Sequence, residues 1–308
     1  MPGSPRADAA GPEQLVDALN AVFGKHPARA SHAKGQCVRG SFSPTPEAVG
    51  LSKSPIFAGE VPLLARFSMG SGNPKIADAA KGAPRGLAVR FESGEGVVLV
   101  MLSTPMFFAR TPEQMLGFLQ ARVPAADGKP EAEKVKAFAA ANPETTAQSA
   151  WLASRPVPAS YATVNYWAVH AFTLTNADGV ATTVKLRAEP GTGEVGLSDE
   201  EAKAKPADFY VDELRERLAS GPATFTLVAI IGEATDPTGD PTVTWPEDER
   251  RKVALGTLRI TALEDQERCD AITFDPTVLA EGIAGPADDP TFAIRSEAYA
   301  ISRSRRTD

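Results

Sequence analysis

The sequence has few of the residues from which most recurring functional sites are built. It contains two cysteines, Cys37 and Cys269, and three histidines among 308 residues. These cysteines form neither a CxxC pair nor a disulfide framework, so we expect two reduced thiols and a cytoplasmic protein. No run of about 18 apolar residues occurs, which predicts that nothing spans a membrane. The N-terminus also lacks an apolar segment long enough for a secretory signal.

Positive charge and phosphate-binding motifs are scarce as well. A net charge of −7 and a pI near 5.2 argue against nucleic acid as a partner of the whole chain. The segment Gly70-Ser-Gly72 lacks the Lys-Ser/Thr ending of a P-loop. Asp236–Asp240 lacks the acidic spacing and the final Glu of a calcium loop.

The apolar periodicity predicts an α+β fold whose antiparallel sheet closes into a barrel. Period-two or continuous apolar runs indicate strands near residues 62–68, 85–91, 97–102, 162–174, 182–188, 224–231 and 255–261. Helical spacing indicates helices near residues 15–23, 112–119, 132–141, 145–154 and 209–218. No linker or repeat divides the chain, so we predict a single domain over residues 1–308 with a flexible arm at residues 1–12.

Near the C-terminus, Arg295 precedes Tyr299 by four residues within a predicted short helix. Side chains at this spacing are neighbours, so the guanidinium can reach the phenol oxygen. A fixed cation favours the ionised phenol, and a phenolate is a suitable ligand for ferric iron. Taken alone, an Arg and a Tyr at this spacing usually make an ordinary surface contact.

The three histidines differ in their surroundings. His32 lies in a polar segment with basic residues on both sides, which is compatible with a catalytic base or with a surface loop. We interpret His170, which lies inside an aromatic-rich strand, as a hydrogen-bonded core residue, and His26 as a loop residue.

Five short motifs occur in the same order as in the haem catalases, and the sequence resembles that family over most of its length. They are Arg29-x-x-His32-Ala-Lys-Gly, Arg66-Phe-Ser68, Pro84-Arg-Gly86, Thr104-Pro-x-Phe107-Phe108 and Arg295-x-x-x-Tyr299. The closing stretch from Phe274 is most similar to the small catalase-related peroxidases. This resemblance implies a haem-catalase-type β-barrel with surrounding helices, lacking the long C-terminal helical region of full-length catalases.

The resemblance also implies haem b as the cofactor, with Tyr299 as the iron ligand and Arg295 as the cation that keeps it ionised. It makes His32 the distal base and Ser68 the hydrogen-bond partner that orients the imidazole. Three arginines would bind the haem propionates, and Phe108 together with Phe107 would pack near the porphyrin. Those arginines are Arg29, Arg66 and Arg306.

Several positions depart from full-length catalases. Ser103 precedes the Thr-Pro-x-Phe-Phe motif, where those enzymes carry an asparagine that holds peroxide, so Ser103 is predicted to be catalytic. Gly70 replaces the valine that narrows their channel, and Ser31 replaces the valine before the distal histidine. Asp78 aligns with the channel carboxylate only after a one-residue offset. A wider, more polar entrance is therefore expected, which favours peroxidase turnover over disproportionation.

The resemblance therefore implies a haem-dependent peroxidase that reduces hydrogen peroxide or organic hydroperoxides with a small-molecule electron donor and has weak catalase activity. One alternative is a catalase-like enzyme of the allene oxide synthase type, which rearranges lipid hydroperoxides. Another is a barrel that binds haem or another hydrophobic ligand without catalysis. We expect a homo-oligomer, with a dimer favoured.

Overall fold

The chain is folded around a closed antiparallel barrel in a computed structural model that describes residues 10–307. The strands are β1 (Gly35–Pro44), β2 (Val61–Met69), β3 (Arg85–Phe91), β4 (Val97–Leu102), β5 (Val157–Pro158), β6 (Tyr166–Thr175), β7 (Ala181–Pro190), β8 (Gly196–Leu197), β9 (Ala223–Ile231), β10 (Lys252–Leu263) and β11 (Ile283–Ala284). The order β6-β4-β3-β2-β1-β10-β9-β7 closes because β7 pairs with β6. The predicted α+β fold and antiparallel barrel are confirmed.

Helices surround the barrel and lie mainly in its long connections. They are α1 (Pro12–Phe23), α2 (Pro46–Leu51), α3 (Pro112–Gln120), α4 (Ala132–Ala141), α5 (Ala147–Ala153), α6 (Asp199–Ala204), α7 (Phe209–Ser220), α8 (Gln266–Asp270), α9 (Pro290–Ala293) and α10 (Arg295–Thr307). Most of the predicted N-terminal arm, residues 1–9, lies outside the described residues. Among the helices that the structure describes, none is long and apolar enough to cross a membrane.

The two faces of β2, β3 and β4 have different environments, and this difference creates the functional site. Alternate residues such as Leu63, Ala65 and Phe67 point into the barrel core. The intervening residues, including Arg66 and Ser68, point outwards, because side chains alternate along a strand. Part of the outer face of these strands is covered by α8 and the segment that follows it, which pack Cys269 and Phe274 against Leu64 and Val98.

The sequence analysis missed β1, the strand next to the site. Its burial pattern does not alternate regularly, and the pairing with β10 is shifted between Arg39 and Gly40. Gly40 is required at this bulge, since a Cβ there would lie 1.9 Å from the backbone oxygen of Arg259. An irregular strand of this kind does not produce the period-two signal.

The expectation of two reduced thiols was wrong. Cys37 in β1 and Cys269 in α8 form a disulfide across 232 residues of sequence. Both are fully buried in a small outer cluster with Leu64, Val98 and Phe274. The disulfide holds α8 against the outer face of the barrel, and the argument for a cytoplasmic location from free thiols loses its basis.

Candidate active site

His32 lies in the turn between α1 and β1, directly beside Ser68. Its φ is 54°, and among the residues that the structure describes no other residue except glycine has a positive φ. A residue that carries a Cβ rarely adopts this left-handed conformation. The Arg66 guanidinium holds this turn by donating to the backbone oxygens of His32 (2.9 Å) and Ala33 (3.1 Å). His32 Nδ1 lies 2.9 Å from Ser68 Oγ. The predicted His32–Ser68 pair is therefore present in the structure.

The electrostatic surroundings keep the His32 imidazole neutral. Burial, followed by the positive charges of Arg66, Arg295 and Arg29, lowers the pKa of His32 to about 3. A neutral imidazole can accept a proton at neutral pH, which a protonated one cannot. The segment before His32 also contacts the helix that carries Arg295 and Tyr299, because the backbone N–H of Ala30 donates to Ser302 Oγ at 3.4 Å.

Register places Leu102, and not Ser103, beside this histidine. Ser68 pairs with Gly86 and Gly86 pairs with Leu102, so all three lie on the outer face of the sheet. A Cβ at Gly86 would lie 2.6 Å from Ser68 Oγ and 2.8 Å from His32 Nδ1, which explains the glycine of the Pro-Arg-Gly motif. Ser103 follows on the opposite face, where its Oγ accepts from the backbone N–H of Arg85 at 2.8 Å. The geometry therefore gives no support to a catalytic Ser103.

Two entrance residues also differ from expectation. Asp78, aligned with a channel carboxylate, is fully buried and forms an ion pair with Lys34 at 2.7 Å. Its other oxygen accepts from the backbone N–H of Tyr210 at 2.8 Å, which is a structural role. A Cβ at Gly70 would lie 2.5 Å from Pro84 Cγ and 2.8 Å from the Pro84 backbone oxygen. Gly70 is therefore required by close packing, whatever its effect on the channel.

Three predicted arginines come together, and one carboxylate, that of Asp270, lies near them. Arg29 donates to Asp270 Oδ1 at 2.5 Å and to the Cys269 backbone oxygen at 2.7 Å, so the disulfide-linked helix α8 positions it. The Nε atoms of Arg66 and Arg306 are buried and have no hydrogen-bond partner among the described residues. Burial and the charge of Arg29 lower the pKa of Arg66 to about 9 and also lower the pKa of Arg306. This cluster fits an anionic group with more than one carboxylate.

A hydrogen-bonded chain of four side chains ends at the predicted iron ligand. Arg295 donates to Tyr299 Oη at 2.6 Å and to His170 Nε2 at 2.9 Å. His170 Nδ1 lies 2.6 Å from Asp289 Oδ2. The predicted Arg295–Tyr299 contact is present, and His170 is the buried, hydrogen-bonded residue that the sequence analysis expected. No local sequence signal links His170 to Asp289, because 119 residues separate them.

The groups hydrogen-bonded to His170 determine which of its ring nitrogens carries the proton. Arginine can only donate, so Nε2 of His170 accepts and Nδ1 carries the proton that is donated to Asp289. Burial lowers the pKa of His170 and outweighs the opposing effect of the Asp289 hydrogen bond. Burial acts to raise the pKa of Asp289, but hydrogen bonds, led by that from His170, lower it overall. The result is a neutral histidine between a carboxylate and a guanidinium.

The predicted porphyrin contacts form a separate aromatic group. The rings of Phe107 and Phe108 are 4.4 Å apart, and Phe108 lies 4.5 Å from Phe118 of α3. Both Phe107 and Phe108 are half-buried and belong to none of the hydrophobic core clusters. Their contact with a bound porphyrin stays a prediction.

Comparison with known proteins gives consistent matches over the whole described chain. The family model described as catalase matches residues 14–307. Catalase-related peroxidases of Synechococcus elongatus and Mycolicibacterium paratuberculosis are 40% and 37% identical, each covering 96% of this chain and 88% and 95% of their own. The structure of a fungal catalase superposes with a TM-score of 0.82 at 25% identity and covers 91% of this chain. The chain spans 60% of the length of that catalase.

Proposed function

The chain belongs to the catalase family, and on this premise we propose that it is a haem-dependent peroxidase. It reduces hydrogen peroxide or organic hydroperoxides with electrons from an external small-molecule donor and has weak catalase activity. The observation that carries the proposal is the chain Asp289–His170–Arg295–Tyr299, which presents a phenol oxygen 2.6 Å from a guanidinium. The relatives named catalase-related peroxidases match nearly the whole chain and support the same activity.

The residues present fit haem b. Arg29, Arg66 and Arg306 would hold its two propionates, which would supply the acceptors that the buried Nε atoms lack. Tyr299 would bind the iron through its phenolate oxygen. When bound, the haem supplies the redox-active iron at which the peroxide O–O bond is broken.

His32 moves the proton in this reaction. With Nδ1–H donated to Ser68 Oγ, Nε2 is the basic atom that takes a proton from one peroxide oxygen. The same atom returns the proton to the other oxygen, which leaves as water or as an alcohol. Ser68 and the Arg66 contacts to the His32 backbone keep the imidazole in the required orientation.

Arg295 acts on the other side, where its guanidinium donates a hydrogen bond to Tyr299 Oη at 2.6 Å and fixes the position of the ligand oxygen. Asp289 and His170 hold the guanidinium in place, so that it faces the phenol oxygen without a carboxylate directly beside it.

A hydroperoxide-rearranging enzyme and a non-catalytic carrier remain distinct alternatives, and no observation favours either. A rearrangement consumes no reductant, so the amount of donor oxidised per peroxide separates it from a peroxidase. A homodimer and a cytoplasmic location stay predictions.

Haem content and spectrum test the proposed role of Tyr299. Tyr299→Phe removes the oxygen ligand, so the purified variant should retain little haem and show background peroxidase activity. Glu297→Gln is the matched control, since Glu297 is exposed on the same helix. A Tyr299→Phe protein with full haem content and an unchanged spectrum would exclude Tyr299 as the ligand.

A further inference from the structure

The disulfide lies between the two parts of the site that carry Arg29 and Arg66. We propose that Cys37–Cys269 is a redox switch for haem binding. In the oxidised protein the disulfide holds α8 where it positions Arg29, and its reduction releases α8 and weakens the affinity for haem. This inference rests on the proposed haem-dependent function and adds a regulation of that same site.

Each end of the disulfide adjoins one of the arginines. Cys37 in β1 pairs directly with Arg66 in β2, and directly paired residues of an antiparallel sheet share a face. At the other end, the backbone oxygen of Cys269 accepts from Arg29 at 2.7 Å. Asp270, the next residue of α8, accepts from the same guanidinium at 2.5 Å. The disulfide therefore links the strand position beside Arg66 to both acceptors of Arg29.

Helix α8 has little else to hold it against the barrel. It has five residues, and its one buried residue is Cys269. A helix this short is not stable without tertiary contacts. Apart from their contacts with Arg29, the polar side chains of α8 bond within the helix or to Glu264 just before it. Without the disulfide, α8 would keep its place only through the segments that flank it.

Reduction changes both the connection and the packing of this region. A dithiol supplies two electrons and two protons, the S–S bond breaks, two thiols form, and the dithiol becomes a cyclic disulfide. Both cysteines are fully buried in the cluster with Leu64, Val98 and Phe274. Two thiols occupy more space than a disulfide, and closely packed clusters accommodate added volume poorly. Reduction therefore favours displacement of α8 from the barrel.

Arg29 depends on α8 because its other neighbours are cations. Two of the five N–H donors of its guanidinium are used on α8, which leaves donors for a haem propionate. The positive charge of Arg29 lowers the pKa values of Arg66 and Arg306, in each case after the larger effect of burial. When α8 moves, Arg29 loses both acceptors while the repulsion from these two arginines remains. The guanidinium then turns towards solvent, and the propionates lose one of three cationic partners.

Titration of haem into the haem-free protein measures the switch without any turnover. Reduction with dithiothreitol should weaken the dissociation constant for haem by about 10- to 100-fold, as expected for the loss of one charged hydrogen-bonding partner. A thiol assay on the unfolded protein verifies that both cysteines are reduced, and circular dichroism verifies that the reduced protein is folded. Removal of the dithiol in air should restore the affinity. Haem transfer to apomyoglobin gives the corresponding rate of haem loss.

Two variants show whether the disulfide acts through Arg29. Arg29→Ala should bind haem weakly in the oxidised state, and reduction should cause no further loss, because the two changes remove the same contact. Arg306→Ala removes an arginine of α10 and should also weaken binding. In that variant, reduction should still weaken the affinity by the same factor as in the wild type.

Two further variants separate the switch from side effects. Cys37→Ala combined with Cys269→Ala should bind haem as weakly as the reduced wild type, with or without the dithiol, which controls for reaction of the dithiol with haem. Val98→Ala removes packing from the same cluster but keeps the disulfide, so it should lower the free energy of unfolding and leave haem affinity unchanged. Should the double cysteine variant be recovered unfolded, the reduced wild type compared with reduced Arg29→Ala gives the same test.

The outcomes separate this inference from the proposed function. A protein that binds haem equally well in the oxidised and reduced states overturns the switch alone. A further loss on reduction of Arg29→Ala overturns it too, because the disulfide would then act by another route. So does a loss in Val98→Ala as large as that caused by reduction, because destabilisation would then be a sufficient cause. A protein that binds no haem in either state contradicts the proposed function and the inference with it.

Discussion

Replacing Asp289 with asparagine should disconnect Arg295 from His170 although the side chain keeps its shape. Asp289 Oδ1 accepts three hydrogen bonds from Thr291 and Phe292, at 2.7–3.2 Å. The oxygen of an asparagine would stay there, which leaves its NH₂ group facing His170 Nδ1. That nitrogen must then accept, so the imidazole proton moves to Nε2 and points at the Arg295 guanidinium, another donor.

The magnitude follows from burial, since Asp289 is 1% and His170 3% exposed. Hydrogen bonds to charged groups contribute about 1.5–3 kcal/mol, and an unsatisfied buried polar group costs about 1–3 kcal/mol. The substitution weakens the carboxylate–imidazole bond and removes the imidazole–guanidinium bond. We therefore expect the free energy of unfolding of the haem-free protein to fall by about 2–5 kcal/mol.

Urea unfolding measures this loss, and ¹⁵N NMR reports which nitrogen of His170 carries the proton. Asp288→Asn is the control, because Asp288 is an exposed neighbour and should change the free energy of unfolding by less than about 0.5 kcal/mol. The reasoning is refuted if Asp289→Asn is as stable as the control and His170 still carries its proton on Nδ1. Haem affinity should fall in parallel, since the guanidinium beside Tyr299 is no longer held.

Five further expectations follow. His32→Ala should keep haem but slow the peroxide-induced change in the haem spectrum by about 10²–10⁴-fold in stopped-flow mixing; an unaltered rate assigns the proton transfer elsewhere. Because burial lowers the pKa of His32 to about 3 and an unfolded histidine titrates near 6.5, the wild-type rate should show no inflection near pH 6.5. By the same linkage, the stabilisation from neutral His32 is complete above about pH 6.5 and declines as the pH falls towards 3; pH-dependent urea unfolding of wild type beside His32→Ala checks it, and equal slopes would contradict it. Gly70→Val should destabilise the protein by about 1–3 kcal/mol, seen as a lower urea midpoint, because a Cβ meets the Pro84 backbone. Reduction of Cys37–Cys269 by a dithiol should lower the free energy of unfolding by about 2–5 kcal/mol, and an unchanged midpoint would show that the disulfide does not contribute.

Local patterns in the sequence were sufficient for much of the fold. β2, β3 and β4 are rich in apolar residues and buried along most of their length, so they could be placed within a few residues. The bulged strand β1 has no comparable apolar pattern and was missed. Motif spacing was equally informative where the partners are close in sequence. Arg295 and Tyr299 lie one helical turn apart, and a guanidinium nitrogen of Arg295 is 2.6 Å from Tyr299 Oη.

What the sequence by itself determined is the set of residue types for the chemistry, the order of the motifs and the faces of regular strands. Only the tertiary structure decided which residues meet across long separations: Cys37 with Cys269, and His170 with Asp289. It also decided that Leu102 and not Ser103 lies beside His32, because a shift of one residue along a strand reverses the face on which a side chain lies. Such pairings depend on strand register and barrel closure. These are properties of the whole sheet and cannot be predicted from any short stretch of sequence.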